Sequence, residues 1–141
     1  MLNPVSPELK IHLETFLPPA AFLEISQKYL TEPRGRYQGS AGILVAPENT
    51  DQVSKIISAA SQAGVGVIPY GGGTGLVGGQ VLPTSQEGVS SPIILSLSRM
   101  RKVRACHSEE NVLVVEAGVT LAEAQAEAAK VNRLFPLSLT S

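Results

Sequence analysis

The sequence predicts an α/β (α+β) fold, a mixed sheet with flanking helices, on three observations. Across residues 43–70 an apolar run, a helix-period segment and a second apolar run follow one another, the pattern of a βαβ unit with parallel strands and a right-handed crossover. A third apolar run, residues 93–97, adds another strand. Two further runs around Ser108-Glu109-Glu110-Asn111 read as an antiparallel hairpin.

Taken in order, Ser6-Pro7-Glu8 opens a first helix: a hydroxyl to cap it, a proline whose missing N–H costs nothing at the first position, and an acid favoured by the helix dipole. That helix is expected to reach about Phe16. After Pro18-Pro19, the helical spacing of Phe22, Ile25, Tyr29 and Leu30 predicts a second helix over residues 20–29. Residues 31–42 hold three glycines and no period, and read as a loop. Asn49-Thr50-Asp51 caps the helix of the βαβ unit, and Ala63-Gly64 ends it. Residues 83–92 are polar and read as an exposed loop. Thr120 and Glu123 form a capping box, each satisfying the other's backbone donor, and open an alanine-rich helix to about Val131. Leu134-Phe135-Pro136-Leu137 reads as the beginning of an extended segment.

Composition narrows the function classes. The 141 residues amount to one domain, with 11 Lys and Arg against 12 Asp and Glu and a net charge of -1. No basic surface is available to displace counterions from phosphates, so nucleic acid is not an expected partner. Only 16% of the residues are charged, below the roughly 25% usual for soluble domains, which suggests that something covers part of the surface. The single cysteine, Cys106, and the two histidines, His12 and His107, do not make a metal site at any usual ligand spacing. No apolar run approaches a transmembrane span, and the first residues lack a basic stretch followed by an apolar core, so a cytoplasmic location is expected.

Residues 67–80 carry the chemistry. A strand enters a loop with glycine at 71, 72, 73, 75, 78 and 79, whose successive N–H groups can curl round an anion where no Cβ intervenes. A pyrophosphate is the natural occupant; the alternative is a plain turn or tight backbone packing, which needs only one or two glycines. Gly73, Gly75 and Gly78 spell GxGxxG, yet Gly78-Gly79 and Pro83 forbid the helix that a dinucleotide fingerprint requires, and no acid ends the next strand. No lysine lies between Lys55 and Lys102, which excludes a Walker A loop.

Pro69-Tyr70-Gly71-Gly72-Gly73-Thr74-Gly75-Leu76-Val77-Gly78-Gly79 resembles the pyrophosphate loop of the vanillyl-alcohol-oxidase or PCMH-type FAD-binding fold. The resemblance is to the branch that contains the flavin-carrying component of glycolate oxidase and the D-lactate and D-2-hydroxyglutarate dehydrogenases. It extends through Tyr29-Leu30-Thr31-Glu32-Pro33-Arg34-Gly35-Arg36-Tyr37, Leu95-Ser96-Leu97-Ser98-Arg99-Met100, Val115-Glu116-Ala117-Gly118-Val119 and Phe135-Pro136-Leu137-Ser138-Leu139. It implies an N-terminal helical segment, residues 1–38, before the N-terminal part of an FAD-binding domain, residues 39–141.

It further implies that Gly71, Gly72, Gly73, Thr74 and Gly75 hold the FAD pyrophosphate, that Gly79 and Gln80 close the loop, and that Pro136 and Ser138 lie near the flavin. Thr74-Gly75 stands where some relatives carry a flavin-linking histidine, so attachment is expected to be noncovalent. The implied reaction is oxidation of a small D-2-hydroxy acid to the 2-oxo acid. Because the family's second glycine run and substrate domain lie beyond this chain, no catalytic residue is expected here and the chain alone is expected to be inactive. A non-catalytic nucleotide-binding or interaction remnant of the same fold is the rival reading. An uncovered apolar patch at the C-terminal segment further suggests self-association.

Other residues invite blander readings. Arg99, Arg101, Lys102 and Arg104 read as a solvated strand edge rather than an anion patch. Cys106 and His107, adjacent on a strand, point to opposite faces and do not form a nucleophile pair. Arg34 and Arg36 belong either to a helix-to-strand linker or to a loop beside the cofactor cleft.

Overall fold

A computed structural model describes residues 2–82 and 91–139; residues 83–90, the greater part of the polar loop expected at 83–92, lie outside the described residues. Helix α1, Pro7–Glu14, forms where the sequence places it: Ser6 accepts a hydrogen bond from the Leu9 N–H, and Leu9 and Leu13, one turn apart, face the sheet. The helix expected over residues 20–29 is corrected. A 3₁₀ turn, Pro19–Ala21, leads into a two-residue strand β1, Phe22–Leu23, and only Gln27–Leu30 is helical (α2). Phe22 and Leu23 pair antiparallel with Val45 and Leu44, so a free sheet edge outweighs helical spacing that local sequence alone suggests.

Strand β2, Ile43–Val45, helix α3, Thr50–Ala63, and strand β3, Val67–Tyr70, make the expected βαβ unit. Asn49 caps α3 by accepting from the Gln52 N–H at 2.9 Å, and Gly64 ends it in the left-handed region at φ +65°. The two strands run parallel but are not neighbours. Strand β4, Ile93–Ser96, lies between them, giving the sheet order β1-β2-β4-β3, parallel except at the β1 edge. Both β2 and β4 are buried at every position and apolar but for Ser96, as a sheet covered on both faces demands.

Alternation along the strands sorts two cores. Ile43, Val45, Ile93 and Leu95 face α1 and α3 with Leu9, Leu13, Leu17 and Ile56. Leu44, Ile94 and Tyr70 project to the other side, where Tyr29 of α2 covers them. The residues before 39 thus supply both faces of the sheet with cover. Beyond β4, strands β5, Val103–His107, and β6, Val112–Val115, form the expected antiparallel hairpin as a separate two-stranded sheet, with Asn111 at φ +55° in its turn. Helix α4, Leu121–Lys130, follows, and its capping box is complete: Thr120 Oγ1 accepts from the Glu123 N–H and the Glu123 carboxylate accepts from the Thr120 N–H. The Leu134-Phe135-Pro136-Leu137 segment is exposed and pairs with no strand among the described residues.

Candidate functional site

Parallel strands β3 and β4 end on the same side of the sheet, and open α/β sheets place ligands beyond such carboxyl ends. The loop leaving β3 is built by two different uses of glycine. Gly73 and Gly78 adopt φ +72° and +78°, and a Cβ on either would strike a tyrosine: at Gly73 the Tyr70 hydroxyl, with Cζ at 2.6 Å, and at Gly78 the Tyr37 ring at 2.9 Å. These two glycines let the loop fold back on its own protein. Gly71 and Gly72 are different. A Cβ on Gly71 would meet nothing within 4 Å, and one on Gly72 only the Thr74 methyl at 3.8 Å.

The loop is tied at both ends. Tyr70 donates its hydroxyl to the Lys28 carbonyl at 2.8 Å and stacks edge-on against Tyr29, and burial pushes its phenol above the usual tyrosine range. Gln80 Nε2 donates to the Gly75 carbonyl at 2.6 Å and to that of Gly73 at 3.3 Å, turning both oxygens toward itself. Tyr37 is presented by a turn whose centre is the buried Glu32 carboxylate, which accepts the Arg34 and Arg36 N–H groups at 3.0 Å each. The side chains of Arg34 and Arg36 are exposed on that turn.

A cleft of about 620 Å³ opens beside the loop. Gly71, Gly72 and Thr74 form one wall, Leu97, Ser98 and Arg101 a second, and residues 117–122, at the entry to α4, a third, with Leu139 at the rim. Gly118 locks the last two walls together. Its N–H donates to the Met100 carbonyl at 2.8 Å, and a Cβ there would collide with the Leu97 and Met100 carbonyls, so no other residue allows this approach.

Three of the four cations of the basic cluster make ion pairs on an edge that is largely exposed, as the sequence suggests. Arg99 pairs with Glu48, Arg101 with Glu123, and Arg104 with Glu116 at 3.1 Å. Glu116 is buried; the Lys102 N–H at 2.9 Å and then Arg104 hold its carboxyl below the usual range, against the opposing effect of burial. Glu123 is held at about 2 by the Thr120 N–H, the Arg101 guanidinium and the Thr120 hydroxyl.

Of the residues singled out in the sequence, Gly71, Gly72 and Thr74 line the cleft, while Gly73, Gly75 and Gln80 form the hydrogen-bonded back of the loop. Gly79 is exposed beside them. Pro136 and Ser138 lie on the exposed C-terminal segment, outside the lining that Leu139 joins. Arg101 and residues 117–122 were not singled out as site residues, although Arg101 stood in the basic cluster that was weighed as an anion patch, residues 117–119 lie in a segment that carries the resemblance, and Thr120 opens the capping box. Among the described residues no cluster of metal-ligating side chains occurs, and no helix is long and apolar enough to cross a membrane.

Residues 41–141 match the family described as FAD binding domain. A rice protein named "Probable D-2-hydroxyglutarate dehydrogenase, mitochondrial" is 36% identical over 105 residues, covering 74% of this chain and 18% of that protein. The D-2-hydroxyglutarate–pyruvate transhydrogenase of Saccharomyces cerevisiae is 35% identical over 106 residues, 75% of this chain and 20% of its own length. The chain therefore spans about a fifth of the relatives it matches. Among solved structures, alkyldihydroxyacetonephosphate synthase superposes with a TM-score of 0.74 at 21% identity over 92% of this chain and 26% of the other. The Bermuda grass isoallergen BG60 gives 0.72 at 14% over 87% and 27%. These likenesses confirm the mixed α/β, PCMH-type fold. The cytoplasmic location is overturned, since the rice relative and those from Arabidopsis thaliana and Danio rerio are named mitochondrial enzymes. The cofactor implied by the resemblance is the one the matching family is described by, and the chain belongs to the FAD binding domain family.

Proposed function

We propose that the cleft seats FAD noncovalently, with the pyrophosphate against the N–H groups of residues 71–75, the Thr74 hydroxyl as an added donor, and Gly79-Gln80 closing the loop. In this reading Pro136 and Ser138 approach the flavin from the C-terminal segment. The observation that carries it is the pair Gly71 and Gly72: neither needs to be glycine for internal packing or for a positive φ, yet both face the cleft. A side chain at either position would stand where a ligand must come close to the backbone. Bound FAD supplies a hydride acceptor, and this chain's contribution is to hold and orient it.

The protein to which the chain contributes this site oxidises a D-2-hydroxy acid of the 2-hydroxyglutarate, lactate or glycolate class to the 2-oxo acid. The names of its relatives support the 2-hydroxyglutarate and lactate classes, and glycolate rests on the resemblance of the loop and its flanking segments alone. The test has two parts. FAD added to the isotope-labelled chain is expected to shift the amide resonances of residues 71–75; unmoved loop amides at millimolar FAD would refute the site. Anaerobic addition of D-2-hydroxyglutarate, D-lactate or glycolate to the FAD-loaded full-length protein is expected to bleach the flavin with one of the three. FAD bound without bleaching by any would instead leave a non-catalytic nucleotide-binding module.

A further inference from the structure

We infer that Arg101, the one ionisable side chain lining the cleft among the described residues, recognises the phosphate charge of the cofactor. The inference rests on the FAD reading of the site and adds to it a specific electrostatic contact. The glycine wall offers backbone dipoles but no charge, and Thr74, Ser98 and Thr120 offer only neutral hydroxyls. A pyrophosphate diester brings two negative charges to a cleft whose other side chains, Leu97, Ala117, Val119, Leu121 and Leu139 among them, carry no charge, so a cation at its wall favours the anion. A guanidinium matches phosphate oxygens with two parallel donors, and Arg101 lines the same cleft as the glycine loop and the start of α4.

The placement of Arg101 is fixed by what holds its partner. Glu123 is anchored by the Thr120 N–H and hydroxyl, both at 2.8 Å, and through its other carboxylate oxygen takes the Arg101 Nη2. The capping box thus serves as a bracket that keeps the guanidinium at the cleft. One nitrogen is spent on Glu123. Among the described residues Glu123 is the one hydrogen-bond partner of the Arg101 guanidinium, and the side chain is 56% exposed, so its other donors can turn to an anion without breaking the pair. Arg99, Lys102 and Arg104 do not line the cleft, so the neighbouring cations are not interchangeable with Arg101.

The experiment compares the chain with R101Q and R101K, following the amides of residues 71–75 during titration with FAD and, separately, with riboflavin, which lacks phosphate. Loss of one charge-assisted contact is expected to weaken FAD about tenfold in R101Q, with R101K between the two and riboflavin indifferent to either substitution. Rising salt is expected to weaken FAD binding to the parent chain more than to R101Q. Equal FAD affinity in the parent chain and R101Q would overturn the role of Arg101 while leaving the cleft as the FAD site. Loop amides that respond to FAD in neither protein would overturn both.

Discussion

Replacing Gly73 and replacing Gly71 are expected to have opposite consequences, although the two are separated by one residue. In Gly73→Ala the new residue must hold φ +72°, which costs about 1 kcal/mol. Its methyl also falls on the Tyr70 hydroxyl. Tyr70 can yield only by giving up its 2.8 Å bond to the Lys28 carbonyl, about 1 kcal/mol, and part of its edge-on contact with Tyr29, again about 1 kcal/mol. The total is about 3 kcal/mol of stability, read as a lowered urea midpoint at unchanged slope. In Gly71→Ala the methyl enters open space, so stability should stay within about 0.5 kcal/mol while FAD affinity falls. The Gly73 effect runs through Tyr70, so adding Tyr70→Phe, which deletes the struck hydroxyl, should make the double variant less unstable than the two single losses combined. A Gly73→Ala chain as stable as the parent, or strict additivity with Tyr70→Phe, would refute this account of the loop.

Three further outcomes are expected. Glu116 and Glu123 both have carboxyls held below the ordinary value of 4.5, so their contribution to stability is complete above that pH and is lost as pH falls through their folded values, about 2 for Glu123. Melting temperatures measured from pH 5 to pH 2 should therefore fall less steeply in Glu123→Gln than in the parent chain, and equal slopes would count against the cap. Gln80→Ala frees the carbonyls of Gly73 and Gly75 and should cost about 1 kcal/mol, with faster amide exchange confined to the glycine loop; exchange unchanged there would show that Gln80 does not hold it. Val112, Val114, Leu134 and Leu137 are exposed large apolar residues on the hairpin and C-terminal segment, so the chain should self-associate at high micromolar concentration. A sedimentation mass that stays at 14.8 kDa would refute this.

What the sequence determined by itself is everything carried by short-range chemistry. Ser6, Asn49 and Thr120 announce helix starts because a cap is a contact between residues three apart, and Gly64 announces an end because a positive φ is a property of one residue. The glycine density after β3 marked an irregular, positive-φ loop at that strand's end for the same reason. The tertiary structure decided whatever depends on a distant partner. Phe22 and Leu23 left their helical spacing because β2 offered an edge. β4 entered between two strands that the chain makes consecutively, since sheet order is set by how the apolar faces are covered and not by sequence proximity. The tertiary structure also divided the glycines into those that spare Tyr70 and Tyr37 and those that face the cleft, because the direction of a missing side chain has meaning only once its surroundings exist. Arg101 changed its reading on the same ground: along the chain it is one cation in a basic run, and only folding brings it to the cleft that the glycine loop lines, with a glutamate 22 residues away as its partner.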